Sequence, residues 1–91
     1  MTKNGLYRKA LTIWGYDRQL CKLAEEASEL AAESNRILNS QGFEDKLAGE
    51  IADVEIMIEQ LRLNGLAHTI DFYKQQKLQQ LAIKLGETYE S

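Results

Sequence analysis

Residues 43–63 read FEDKLAGEIADVEIMIEQLRL, and their spacing decides the fold. Leu47, Ile51, Val54, Ile58 and Leu61 recur at three- and four-residue steps, the period of a helix that buries one side. Glu44 and Asp45 open the stretch, where the free N–H groups of a first turn favour negative charge. A helix over 43–63 follows. Upstream, Leu20, Leu23, Ala24, Ala27, Leu30, Ala31 and Leu38 keep the same period and predict an amphipathic helix over 17–38, with Asp17 as its N-cap. Three glycine-bearing breaks punctuate the chain: Trp14-Gly15-Tyr16-Asp17, Asn39-Ser40-Gln41-Gly42 and Asn64-Gly65. They set off a short helix over 5–14 and a last one running from 66 or 69 to 85, with Gly86 as its terminator and a fraying end beyond. Short connections between long helices predict antiparallel neighbours. The expected fold is therefore all-α, an antiparallel bundle of about four helices forming one domain over residues 1–91.

Composition agrees. The 91 residues hold no proline, and 27% charged residues without a long apolar run leave no membrane span. A chain this short buries a limited fraction of its surface and has no disulfide to supplement its core, so a homo-oligomer, a dimer or a tetramer, is expected. Its formal charge of −3 gives no general attraction for a nucleic-acid polymer or an anionic membrane. The single cysteine, Cys21, cannot form an intrachain bridge, and in a helical pattern its commonest role is a small buried side chain. This usage fits a reducing, cytoplasmic setting, and Met1 to Gly5 lack the apolar stretch of a secretory signal.

Function is sought where polar residues interrupt apolar stripes. At ~100° per residue, Glu50 falls inside the arc of Leu47, Ile51, Val54, Met57, Ile58 and Leu61, and Asp53 sits at its margin. A carboxylate facing a core is costly unless it is neutralised, hydrogen-bonded or bound to a cation. Glu26 and Glu29 repeat the three-residue spacing on the flank of the second helix, with Glu33 one turn further and Glu25 pointing elsewhere. If the two helices are antiparallel, the pairs come opposite one another and four carboxylates surround one cavity. Hard oxygen ligands of this kind suit Mg²⁺ or Mn²⁺. Taken alone, Glu25, Glu26 and Glu29 read as a solvated face that aids solubility. Glu50 is poorly explained that way, and its structural alternative is an ion pair with Arg62, Lys22 or another base.

In the last helix Lys74, Lys77 and Lys84 share an arc with Ile70, Tyr73, Leu81 and Leu85. Either one of them reaches a phosphate in the acidic cavity, or all of them snorkel to water. Phe72 and Ile83 mark a second apolar side suited to a subunit interface. Trp14 and Tyr16 could stack on a nucleobase, though an aromatic at a helix junction is more often packing. His68 has no second ligand for zinc and is expected to be exposed. Neither a nucleophile elbow nor a glycine-rich phosphate loop is present, which argues against covalent catalysis.

Trp14-Gly15 followed by Gln19, then Leu23-Ala24-Glu25-Glu26-Ala27-Ser28-Glu29-Leu30, then Gly49-Glu50-Ile51-Ala52-Asp53-Val54 together resemble the MazG-like family of all-α nucleoside triphosphate pyrophosphohydrolases. The family hallmark is Glu-x-x-Glu, a variable spacer, and Glu-x-x-Asp. Glu26 and Glu29 match its first half, and Glu50 and Asp53 its second. The resemblance covers nearly the whole chain. It implies a dimeric or doubly dimeric bundle that binds Mg²⁺ through these four carboxylates and cleaves a nucleoside triphosphate between the α and β phosphates. It also makes Lys77 the best phosphate contact in a basic last helix. Gln80 departs from the arginine common in similar sequences, with Lys84 as a possible substitute.

The expected chemistry is metal-assisted hydrolysis with Glu26 as the base, a choice among near-equivalent neighbours. Two alternatives stand beside it. One is a phosphoribosyl-ATP pyrophosphatase-like enzyme, and the other is a noncatalytic helical interaction module with a vestigial acidic site.

Overall fold

The computed structural model describes residues 1–90, all of them in helices or short connections without a strand. Helix α1 spans Lys3–Trp14, α2 Tyr16–Leu38, α3 Glu44–Leu61 and α4 Ala67–Lys84. None is long and apolar enough to cross a membrane.

Local chemistry sets these boundaries. Thr2 caps α1, its hydroxyl oxygen accepting the Gly5 N–H at 3.0 Å. Gly15 then serves two helices at once. Its N–H donates to the Leu11 carbonyl at 2.9 Å, and its own carbonyl accepts the Gln19 N–H at 3.2 Å. The turn between them needs φ 83°, a region costly for any residue with a Cβ. Because Gly15 carries the capping carbonyl, α2 begins at Tyr16, and Asp17 lies inside the first turn rather than at the N-cap. There it still complements the helix dipole.

Residues 39–43 join α2 to α3, and the Gln41 N–H reaches back to the Arg36 carbonyl at 2.7 Å. Between α3 and α4, Asn64 (φ −85°, ψ 19°) and Gly65 (φ 108°, ψ −1°) leave helical geometry within the wide turn Arg62–Leu66. The regular helix predicted as far as Leu63 therefore stops at Leu61. The Arg62 guanidinium donates to Asp71 at 3.0 Å and straps the two sides of the bend. At the far end, the Gly86 and Glu87 N–H groups bond the Ile83 and Ala82 carbonyls at 3.1 and 2.8 Å. These are the two bonds of a Schellman closure.

Helices α2 and α3 form the main packed pair, α1 lies against α2, and α4 is joined chiefly through the bend. No residue of α4 is buried. The radius of gyration is 16.2 Å, against about 12 Å for a compact chain of this length. The single chain thus leaves its fourth helix standing off the packed pair.

The buried apolar residues are Tyr7, Met57 and Leu61. On α2 the buried positions are Gln19, Glu26 and Glu33, at successive heptad steps. Leu20, Leu38, Ile51 and Ile58 of the predicted stripes are exposed. Cys21 is also exposed, contrary to expectation, because it lies about 200° around α2 from the buried Gln19. His68 is exposed as expected.

One polar clamp ties α1 to α3. The Tyr7 hydroxyl donates to Glu59 Oε2 at 3.0 Å, and Lys3 Nζ lies 2.8 Å from the same oxygen. The hydrogen bond from Lys3, then that from Tyr7, holds the Glu59 carboxyl below its usual range. A depressed carboxylate stabilises the fold above its unfolded value, and that contribution disappears as pH falls through the lowered folded value. Glu59→Gln should therefore lower Tm at neutral pH, and the gap from wild type should narrow on acidification below the ordinary carboxylate range. Thermal melts across that interval check it, and a gap independent of pH would contradict the clamp.

Candidate metal centre

The α2–α3 register places the acids. Gln19 Nε2 donates to Gln60 Oε1 at 3.3 Å, and the same antiparallel alignment sets Glu26 opposite Asp53 and Glu29 opposite Glu50. Glu26, Glu29 and Glu50 each bring a carboxylate oxygen within 4.8 Å of the others. Glu26 is buried, Glu50 half-buried and Glu29 exposed. Asp53 is exposed and lies outside this close group, but it lines the same cavity as Glu26.

The charges oppose one another. The Glu29 carboxyl is raised above its usual range, first by the charge on Glu26, then by desolvation, and further by the charge and hydrogen bond of Glu50. The inner oxygens of Glu26 and Glu50 are buried without any hydrogen-bond partner, an arrangement that costs stability unless something else satisfies them. The bases that could have explained Glu50 are engaged elsewhere. Arg62 pairs with Asp71 at 3.0 Å, while Lys22 sits 3.0 Å from Glu26 and 3.6 Å from Glu25. Hard anionic oxygens, close together and unsatisfied on their inner side, fit a small divalent cation.

Beside the acids lies a cavity of about 660 Å³ whose walls include Trp14, Arg18, Lys22, Glu26, Asp53 and Gln60. Trp14 is exposed, with the Arg18 guanidinium 5.9 Å from its ring centre. The structure thus brings the predicted aromatic to one space with two of the predicted acids, Glu26 and Asp53, while Glu29 and Glu50 do not line it. Lys74, Lys77 and Lys84 are exposed on α4, and none of them lines this cavity. The bend at Gly65 carries their helix off the α2–α3 pair.

Other residues gain weight only in three dimensions. Glu33, 1% exposed, is the most deeply buried side chain among the described residues, and its inner oxygen has no partner. Arg36 approaches its other oxygen only to 3.6 Å. Its signal in the sequence is the heptad step from Gln19 through Glu26. Gln19 is also buried in the cavity wall, with its Oε1 unpartnered. Arg18 and Lys22 are the cavity's basic groups. No protein-family model, curated protein or solved structure matches the chain.

A carboxyl raised in the folded state weakens the fold where it is ionised, and that penalty is relieved as pH falls through its raised value. Glu29→Gln should accordingly raise Tm at neutral pH in metal-free buffer, with the advantage shrinking under mild acid. Mg²⁺ should raise the wild-type Tm more than that of the variant. Melts with chelator and with added MgCl₂ read both effects, and a variant no more stable than wild type without metal would refute the repulsion.

Proposed function

We propose that the chain is a Mg²⁺-dependent nucleoside triphosphate pyrophosphohydrolase of the MazG-like kind, with Glu26, Glu29, Glu50 and Asp53 as the metal-holding set and Mn²⁺ as an alternative ion. The observation that carries this reading is the close trio Glu26, Glu29 and Glu50, whose inner oxygens on Glu26 and Glu50 are buried and unpartnered. Three acids drawn from two helices, with Lys22 beside only one of them, are hard to explain as a solvated face. When bound, the ion would offset charge on the phosphate oxygens as the bond between the α and β phosphates breaks.

The chain's own groups divide the remaining work. Trp14 offers an exposed aromatic face to a nucleobase in the cavity that Glu26 and Asp53 also line. A carboxylate oxygen left free by the ion, for which Glu26 is the first choice, orients water and takes its proton. The water oxygen bonds to the α phosphorus, the bridge to the β phosphorus breaks, and a nucleoside monophosphate and pyrophosphate leave.

The same reading makes the working form a homodimer or homotetramer, in which four-helix bundles are completed between copies. The second apolar side of α4, with Phe72 and Ile83, is exposed in the single chain, as are Leu20 and Ile51. In such an assembly the α4 of a neighbouring copy would carry Lys77, with Lys74 or Lys84, to the triphosphate.

Two measurements test this. A pyrophosphate-release assay across the eight common ribo- and deoxyribonucleoside triphosphates should find a substrate, and Glu50→Gln should lower turnover about a hundredfold or more while the helical signal persists. Full turnover in a folded Glu50→Gln protein would refute the scheme. Sedimentation should show an oligomer that Ile83→Glu shifts toward monomer, and a monomeric wild type would remove the assembly from the reading.

A further inference from the structure

We propose that Lys22 is an internal counter-ion that holds Glu26 in the metal-free protein, is displaced when Mg²⁺ enters, and then serves as a phosphate-binding group of the same cavity. This inference rests on the metal-dependent reading above and adds to it a residue and an exchange.

The geometry supplies the first half. Lys22 lies one turn before Glu26 on α2, with its ammonium 3.0 Å from Glu26 Oε1 and 3.6 Å from Glu25 Oε1. The two partners differ sharply in exposure, since the Glu26 side chain is buried and the Lys22 side chain is half exposed. Glu26 also belongs to the trio whose oxygens lie within 4.8 Å of one another. An ammonium and a divalent ion that draw on one carboxylate repel each other. The doubly charged ion gains from three acids, whereas the lysine touches only one of the three. Exchange therefore favours the ion, and a flexible four-carbon stem lets the lysine leave at little cost.

The second half follows from where the freed ammonium remains. Lys22 lines the cavity with Arg18, Trp14, Glu26 and Asp53, whereas Lys74, Lys77 and Lys84 do not. Within one chain, the positive charge beside the acids comes from α2. A triphosphate held against the acids would meet an ammonium that the same event has just released. Metal entry and phosphate affinity are then linked through one side chain.

Removing the lysine should have opposite effects on the two ligands. In calorimetric titration of the full chain with MgCl₂ alone, Lys22→Met should bind the ion about fivefold more tightly. Lys22→Arg, which keeps the competing cation, should bind it no more tightly than wild type. Arg18→Met removes a charge from the same cavity, but one held over Trp14, and should change Mg²⁺ affinity by less than about twofold. At saturating Mg²⁺, inorganic triphosphate should bind Lys22→Met about tenfold more weakly than wild type. Unchanged Mg²⁺ affinity in Lys22→Met, or an equal gain in Arg18→Met, would overturn the exchange. Unchanged triphosphate affinity would overturn the phosphate role. A wild type that takes up no Mg²⁺ would instead bring down the metal reading itself, together with this inference.

Discussion

Burying carboxylates between two helices is the constraint on which this molecule turns. The face of α2 that meets α3 carries Gln19, Glu26 and Glu33 in place of a continuous row of leucines. Such a seam contributes little hydrophobic free energy, and its unpartnered oxygens oppose folding. The pair is held in part by features at its end, where Gln19 meets Gln60 and where Tyr7 and Lys3 converge on Glu59. The apolar residues that a soluble helical pair would normally bury are partly on the outside, Leu20 and Ile51 among them. Acids and amides thus occupy the inside of the α2 face, and large apolar side chains are left on the surface.

The acids also account for the electrostatics around them. Glu29 is pushed toward its protonated form by Glu26 and Glu50, and Lys22 reaches one turn forward along its own helix to pair with Glu26. Arg62 is committed to the bend through Asp71. A cluster under this strain is costly for stability and well suited to a ligand of the opposite sign, whose binding relieves the repulsion that folding created.

Much of the helical layout was legible in the sequence because periodicity and punctuation are local properties. The breaks at Gly15, residues 39–43 and Asn64-Gly65 fall where glycine and its neighbours stand, and Glu44 and Asp45 occupy the first turn of α3. The anomaly of Glu50 was legible for the same reason, since its place within an apolar arc can be read from one helix alone. What remained hidden depends on neighbours. Periodicity ranks the faces of a helix by polarity but does not say which arc meets the partner, so Cys21 was expected inside and the burial of Gln19 and Glu33 was not foreseen. Asp17 has the chemistry of a cap, yet Gly15 supplies the capping carbonyl by taking a backbone conformation that other residues resist. The direction of α4 follows from two residues of non-helical backbone at Asn64 and Gly65. A break is visible in composition, whereas its angle is not.

The single-residue joint at Gly15 has a mechanical consequence. Helix α1 is anchored at Glu59 on α3, runs to Gly15, and passes without slack into α2, which is fastened back to α3 at Gln60, the neighbour of Glu59. These three struts close a triangle with Trp14 at one vertex. The indole therefore belongs to a braced frame, and the aperture it borders is shaped before anything enters.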